Sequence, residues 1–485
     1  MGLLSTGEWA GRIFVDRWTS GTGGVQPVME PATGNSLGEI GLASPDDVVR
    51  ASARAAAAQR EWAVTPITER AAVLRRAGDL FQQHAGEIQD WIMREAGSIR
   101  VKAATETDTA SAECFEASAL PSHPMGHVLP SAEPHWSFAR RRPVGVVTVI
   151  APFNFPLILS IRSVAPALAL GNAVLLKPDP RTAVCGGVVL VRIFEEAGLP
   201  PGLLSLLPGG ADIGEAVVTA PEVSVVSFTG SSKVGRLVGR LASEHLKRIH
   251  LELGGNSALV VLPGADLAKA ASAGAFGSFA HQGQICMTTG RHLVHASLHD
   301  DYVGLLAEKA TNLPVGDPMS EQVALGPVID SAQRDRIHDL VARSVAAGAA
   351  VAAGGTFEDL FYRPTVLSSV MPEMPAYREE VFGPVAPVVP FGSVGDAIKL
   401  AADSPYGLSL GILGDVGLAM TVADAVPAGI VHINEQTVGD EVNAPFGGTR
   451  VSGTGSRFGG AEANIEAFTE TRWITMRGEP ARYPF

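Results

Sequence analysis

The chain has 485 residues, with 37 Lys plus Arg against 50 Asp plus Glu and a net charge of −13. That balance excludes the basic footprint of a nucleic-acid binder, and the length asks for two or more domains rather than one core. Hydrophobic residues make up 46% and charged residues 18%, which suits a large globular protein that buries much surface, some of it between subunits.

The N-terminal MGLLSTGEWAGRIFVDRW lacks the basic start and apolar core of a signal peptide. The first third reads as mostly helical. Ser44-Pro45-Asp46-Asp47 is a helix start, with an N-cap, a proline in the first turn and acids at the positive end of the dipole. A helix over Val48–Trp62 follows, then a helical run from Ile67 to about Glu95 with breaks. From Val144 the texture changes to apolar strands: Val144–Ile150, Ala173–Leu176, Leu203–Leu207, Val223–Phe228 and Arg248–Leu253. Helices over Thr182–Ala197, Asp212–Thr219 and Lys233–Leu246 lie between them. Such alternation implies a parallel sheet wrapped on both faces, with ligands at the carboxyl ends of its strands.

Pro156–Leu176 is the most apolar stretch, but Arg162, Pro166 and Asn172 interrupt it. It reads as a buried helix and a strand, not a membrane span. A second alternation runs through Ser257–Leu262, His292–Leu298, Val385–Phe391 and Ile430–Ile433, with prolines weakening the third of these. The tail Glu466–Met476 is strand-like and could pair with His123–Arg141.

Three cysteines, Cys114, Cys185 and Cys286, do not make a disulfide framework, so a reducing cytoplasm fits. Cys114 and Cys185 sit in helical or apolar stretches and read as structural. Cys286 lies in a turn-rich patch, where a loop or helix start gives a thiol access and stabilises its thiolate. Glu252 ends an apolar strand before two glycines, a place for a general base. Asn154 follows another strand and could donate to a developing oxyanion. Gly230 and Gly235, with Ser231, lie where a strand meets a helix start that offers free amides to phosphate. Each signal alone has an ordinary structural reading: a buried thiol, a loop acid, a turn asparagine, a plain turn. His281, His292, His295 and His299 cluster in sequence, but their intervals match no closed metal site.

Taken together these segments resemble the aldehyde dehydrogenase superfamily. PFNFP, LKP, FTGSSKVG, ELGGN, GQICMTTGR, EEVFGP and PFGG stand in the family's order from Pro152 to Gly448. The resemblance implies an α/β fold with two doubly wound parallel-sheet domains and a small β oligomerisation element. Residues 1–122 and 142–252 would form a Rossmann-like NAD(P)-binding domain, 253–435 the catalytic domain, and 123–141 with 460–485 the bridging element. It makes Cys286 the nucleophile, Glu252 the general base and Asn154 the oxyanion donor. Around the cofactor it places Ile150, Pro152, Lys177, Gly210, Gly230, Ser231, Gly235, Leu253, Glu380 and Phe382. No metal is implied, and a homodimer or homotetramer is. The chemistry implied is thiolate attack on the aldehyde, loss of hydride to the cofactor, and hydrolysis of the thioester by water that Glu252 activates.

One departure bears on the cofactor. NAD-preferring relatives often carry a glutamate three residues after the lysine, where this chain has Pro180. Asp179 could substitute and favour NAD, whereas Arg181 could accept a 2′-phosphate; NAD is the weakly preferred expectation over NADP. Lys177–Gly187, and His432–Val438 with Asp440 and Glu441, are similar to the benzaldehyde and vanillin dehydrogenase branch. An aromatic aldehyde is therefore expected, with Phe155, Ile285 and Met287 as pocket walls. The alternatives are an aliphatic or semialdehyde dehydrogenase, an acylating form that Glu252 argues against, and a catalytically silent structural or binding relative. No nucleic-acid or membrane partner is expected.

Overall fold

The computed structural model describes residues 2–485. Two seven-stranded sheets organise it. In the first, Arg248–Glu252, Val223–Thr229, Val146–Ile150, Ala173–Lys177 and Leu204–Leu206 run parallel in that spatial order. Arg12–Phe14 and Trp18–Ser20 extend it antiparallel. The central strands Val146–Ile150 and Ala173–Lys177 are buried along their whole length, as strands covered on both faces must be.

The helices are specified locally. Ser44 and Asp47 form a reciprocal capping box, and Pro45 opens the helix Pro45–Trp62. The run beyond Ile67 breaks at His84 into Ile67–Gln83 and Ala85–Ala96, and Gly97 in the left-handed region ends the second. The helix expected over Thr182–Ala197 instead starts as a short 3₁₀ turn, passes through a π turn at Val184–Val188, and becomes α-helical only at Val189–Glu196. The buried Glu95 carboxylate explains this, because it takes the amides of Val184 and Cys185 at 2.9 and 2.7 Å.

The second sheet runs Ala350–Ala353, Thr365–Ser368, Val385–Phe391, Thr289–His295, Ser257–Val261, Ser409–Leu413 and Ile430–Ile433. All but the first pairing are parallel. The strand expected at His292–Leu298 starts and ends three residues earlier, at Thr289–His295. Val385–Phe391 is an interior strand despite Pro387 and Pro390. The ladder to Thr365–Ser368 ends opposite Pro387, so both prolines fall where one flank has little or no pairing to lose.

A third, antiparallel sheet joins Gly126–Leu129, Trp136–Pro143 and Thr469–Met476. The tail is a strand only from Thr469. Ala461–Phe468 is helical, and Ile465 and Phe468 are buried in the core of the first sheet. Pro156–Ala169 is a wholly buried helix followed by a strand, and no helix is long and apolar enough to cross a membrane among the described residues.

Candidate active site

Strand register assembles the first edge of the site. Lys177 pairs with Ile150, Ile150 with Phe228, and Thr229 with Glu252. The carboxyl ends of four neighbouring strands therefore stand side by side, where ligands of such sheets bind.

Lys177 is buried, and its ammonium makes one long hydrogen bond, to the Pro178 carbonyl at 3.5 Å. It keeps donors for a ribose hydroxyl. Gly210 opens the helix Ala211–Thr219, though a Cβ would be blocked one residue earlier, at Gly209, by Ile213 at 2.3 Å. Gly230 donates to the Glu252 carbonyl at 3.0 Å. Ser231 caps the helix Ser232–Glu244, and a Cβ on Gly235 would stand 2.3 Å from Leu253. That glycine lets the helix N-terminus lie close on the strand end, a cradle suited to a pyrophosphate. Ile150 is buried at its strand end and Pro152 is half-buried just after it.

Arg181 is fully occupied. It forks onto Asp179 at 2.9 and 2.8 Å, reaches Asp330 at 2.6 Å, and lies 4.3 Å over the Phe153 ring. Burial alone would raise the Asp179 carboxyl, but Arg181 overrides it and holds Asp179 below its ordinary range.

The second edge is the loop carrying Cys286. His281 and Gln282 adopt left-handed backbone at φ 47° and 55°, and Gly283 follows at 65°. Left-handed backbone at the two non-glycine residues is costly and persists only where surroundings enforce it. Here Gln282 donates to the carbonyls of Gly97 and Pro327, both at 2.8 Å, and Thr437 donates to Met287 at 2.7 Å. Asn154 Nδ2 donates to the Gln284 carbonyl at 2.8 Å, which ties the asparagine to the cysteine loop.

The two edges meet at Gly254 and Gly255. A Cβ on Gly254 would lie 2.3 Å from the Glu380 carboxylate, and one on Gly255 would lie 2.3 Å from the Cys286 carbonyl. The Gly255 amide donates to Glu380 at 3.0 Å. Phe382, at φ 54°, meets Phe153 edge to face at 5.9 Å.

The electrostatics are those of a buried, acidic site. Glu252 is 3% exposed; one carboxylate oxygen accepts from Gly448 at 3.2 Å and the other has no partner. Burial pushes its carboxyl well above the ordinary range, against the Gly448 amide, Arg457 and Arg162. Burial also raises Glu380 to about 7. The Cys286 thiol is pushed up to about 12 by burial and then by Glu380 and Glu252, with Arg162 opposing. The expected stabilisation of the thiolate by a loop or helix start is therefore not what surrounds it. The loop leads into a strand, and carboxylates outnumber the one nearby guanidinium. Cys114 and Cys185 are buried, with thiols raised far above their ordinary value by burial.

Asn154, Phe155, Ile285, Cys286 and Met287 line one cavity of about 1090 Å³. Glu252, Glu380 and Lys177 stand outside it. Sequence reading missed several cavity residues. Arg162, 4% exposed, pairs with Asp440 at 2.5 Å and Glu113 at 3.8 Å and lies 4.6 Å from the Phe446 ring. Lys102, from the helix Arg100–Ala119, reaches the Asn154 carbonyl. A charged residue inside an apolar run was the available signal for Arg162. Of the four histidines, His281 lines the cavity, while His292 is satisfied in the core by Tyr302 at 2.8 Å and Ser278 at 2.7 Å.

A profile of the aldehyde dehydrogenase family matches residues 18–474. The chain is 65% identical to a vanillin dehydrogenase of Amycolatopsis sp. over the whole of both proteins. It is 48% identical to an NAD(+) benzaldehyde dehydrogenase of Pseudomonas putida over 98% of each. Among solved structures, a Pseudomonas putida G7 salicylaldehyde dehydrogenase complexed with salicylaldehyde superposes with a TM-score of 0.94 at 33% identity, over 98% of this chain and 99% of that one. A Staphylococcus aureus betaine aldehyde dehydrogenase in complex with NAD+ gives 0.95 at 28% identity, over 99% and 97%. With two such sheets, motifs meeting at their junction and relatives alike from end to end, the chain belongs to the aldehyde dehydrogenase family and is an NAD(P)-dependent enzyme that oxidises an aldehyde.

Proposed function

We propose that this enzyme oxidises aromatic aldehydes to carboxylic acids with NAD. The observation that carries the reading is the cavity that Cys286 lines beside Phe155, Ile285, Met287 and Phe446. Apolar walls with two aromatic faces suit a ring better than a flexible chain, which loses more entropy on binding. The vanillin, benzaldehyde and salicylaldehyde relatives support the same class.

Cys286 Sγ, as thiolate, attacks the carbonyl carbon. The oxyanion takes hydrogen bonds from Asn154 Nδ2, which has a second hydrogen to give, and from the Cys286 N–H, which has no acceptor among the described residues. Bound nicotinamide supplies the hydride acceptor. Cys286 then carries a thioester. Glu252, in its ionised form, draws a proton from water as that water attacks, and the acid leaves. Lys177, Gly210, Gly230, Ser231, Gly235, Ile150, Pro152 and Leu253 would cradle the dinucleotide, with Glu380 and Phe382 toward its nicotinamide half. Arg181, neutralised by Asp179 and Asp330, has no charge to spare for a 2′-phosphate; that supports NAD over NADP.

The test crosses benzaldehyde and hexanal with NAD and NADP and reads the reduced nicotinamide absorbance. Benzaldehyde should lead in kcat/KM by about tenfold or more, and NAD should be the better cofactor. A lead for hexanal removes the aromatic reading; a lead for NADP removes the role given to Arg181.

In this reading residues 1–122 and 142–252 hold the cofactor and 253–435 supply the nucleophile. Residues 123–141 and, of 460–485, the part from Thr469 onward bridge subunits, in a homodimer or homotetramer, since Ala461–Phe468 packs into the first core. The strand Thr469–Met476 is a sheet edge with Trp473 70% exposed, an edge that soluble proteins normally cover. Light scattering should give a multiple of the chain mass, and a monomer would remove the assembly role. Three free thiols suit a reducing compartment such as the cytoplasm.

A further inference from the structure

Asn154 is held from two sides, and one of them has no part in the chemistry described so far. The helix Arg100–Ala119 packs beside the helix Pro156–Ala169 and brings Lys102 and Glu106 beneath the turn between Asn154 and Ile158. The two side chains form an ion pair one helical turn apart, 7% and 0% exposed. Lys102 Nζ donates to the Asn154 carbonyl at 2.8 Å and lies 4.4 Å over the Phe155 ring. The second Glu106 oxygen accepts from the amides of Leu157 at 3.0 Å and Ile158 at 3.4 Å. One ion pair thus grips both ends of a single turn. From the opposite side the Asn154 carboxamide is held by the Gln284 carbonyl of the nucleophile loop.

Helix capping does not require this arrangement. A carboxylate alone satisfies the two free amides of the helix start. Burying an ammonium beside it carries a desolvation cost that apolar residues of the same volume avoid. What the ammonium adds is a donor aimed at the main chain of Asn154. We propose that Lys102 and Glu106 are positioning residues that fix the Asn154 carboxamide where the oxyanion forms, a proposal that rests on reading Asn154 as the oxyanion donor. Neither touches the reacting atoms. Lys102 holds the carbonyl of Asn154, Glu106 holds Lys102 and the helix start, and the side-chain amide is left with one rotamer that meets both Gln284 and substrate.

Displacements of about 1 Å in a reacting constellation can cost about a hundredfold. Lys102→Met should therefore lower kcat by about tenfold to a hundredfold and slow the first-turnover burst of reduced nicotinamide, with KM for the aldehyde nearly unchanged. The deciding experiment is a double-mutant cycle with Asn154→Ala. If Lys102 acts through Asn154, Lys102→Met costs nothing further once Asn154 is Ala. An equal loss in both backgrounds would make Lys102 a packing residue and overturn the proposal. A change in KM with kcat intact would make it a substrate contact and overturn it equally. If Asn154→Ala alone leaves kcat intact, the oxyanion reading falls first and this proposal with it. Should Lys102→Met fail to fold, Lys102→Arg keeps the charge, shifts the donor and is measured in the same cycle, with a smaller loss expected that again vanishes beside Asn154→Ala.

Discussion

Cys286→Ala should abolish aldehyde oxidation, a loss on the order of 10⁶-fold, the scale at which removing a covalent nucleophile acts. The fold should survive, because the side chain is small and lines a cavity. Steady-state assays across aldehydes check this, and turnover near that of the unaltered enzyme would take Cys286 out of the reaction. A second readout follows from its surroundings. Burial and the carboxylates of Glu380 and Glu252 push the thiol up to about 12. A raised thiol pKa leaves little thiolate at neutral pH, and the fraction grows until that value is passed. Alkylation of the cofactor-free protein by iodoacetamide should be slow at pH 7 and rise about tenfold per pH unit. A plateau near neutrality would mean that Arg162 outweighs the acids.

Glu252→Gln should separate the two halves of the reaction. In the proposed mechanism attack and hydride loss start from the Cys286 thiolate, whose proton has already passed to solvent, and use Asn154; hydrolysis of the thioester uses Glu252 as base. A burst of about one reduced nicotinamide per subunit should remain, while steady-state turnover falls by about 10²–10⁴, the usual worth of a general base. The amide is nearly isosteric and can still accept from Gly448, so the strand end should hold its place. Equal loss of burst and steady state would assign Glu252 to the first half instead, as the base that deprotonates Cys286. Because burial raises the Glu252 carboxyl, the hydrolytic step should quicken as pH rises through that raised value.

The fold was legible in the chain itself, for a physical reason. Cys286, Glu252 and Asn154 each leave a local trace, a turn-rich patch, a strand ending before two glycines and a strand ending before a proline-bounded turn, but each trace alone has an ordinary structural reading, and only the seven motifs in family order give them roles. The apolar strands were legible because both faces of each sheet are covered. Boundaries slipped where tertiary contacts overrode the local pattern, as at Val184–Val188, where Glu95 rather than helix propensity decides the turn. Lys102 with Asn154, and Arg162 with Asp440, could not be read, since their partners lie 52 and 278 positions away. The acidity around the nucleophile was equally hidden. Glu380 reaches it only because Gly254 leaves room for a carboxylate.

Gly254 and Gly255 carry a wider consequence. The strand ending at Glu252 and the loop carrying Cys286 mesh through main chain, with no space for even a methyl group at Gly255. At Gly255 their spacing is thus set by main chain and not by the apolar side chains that wall the cavity. The pocket walls can drift, and with them the aldehyde that is accepted, without disturbing the distance between thiol and carboxylate. A catalytic unit insulated in this way allows substrate range to diversify at little risk, and it fits a backbone that superposes at a TM-score of 0.95 on a protein sharing 28% of its residues.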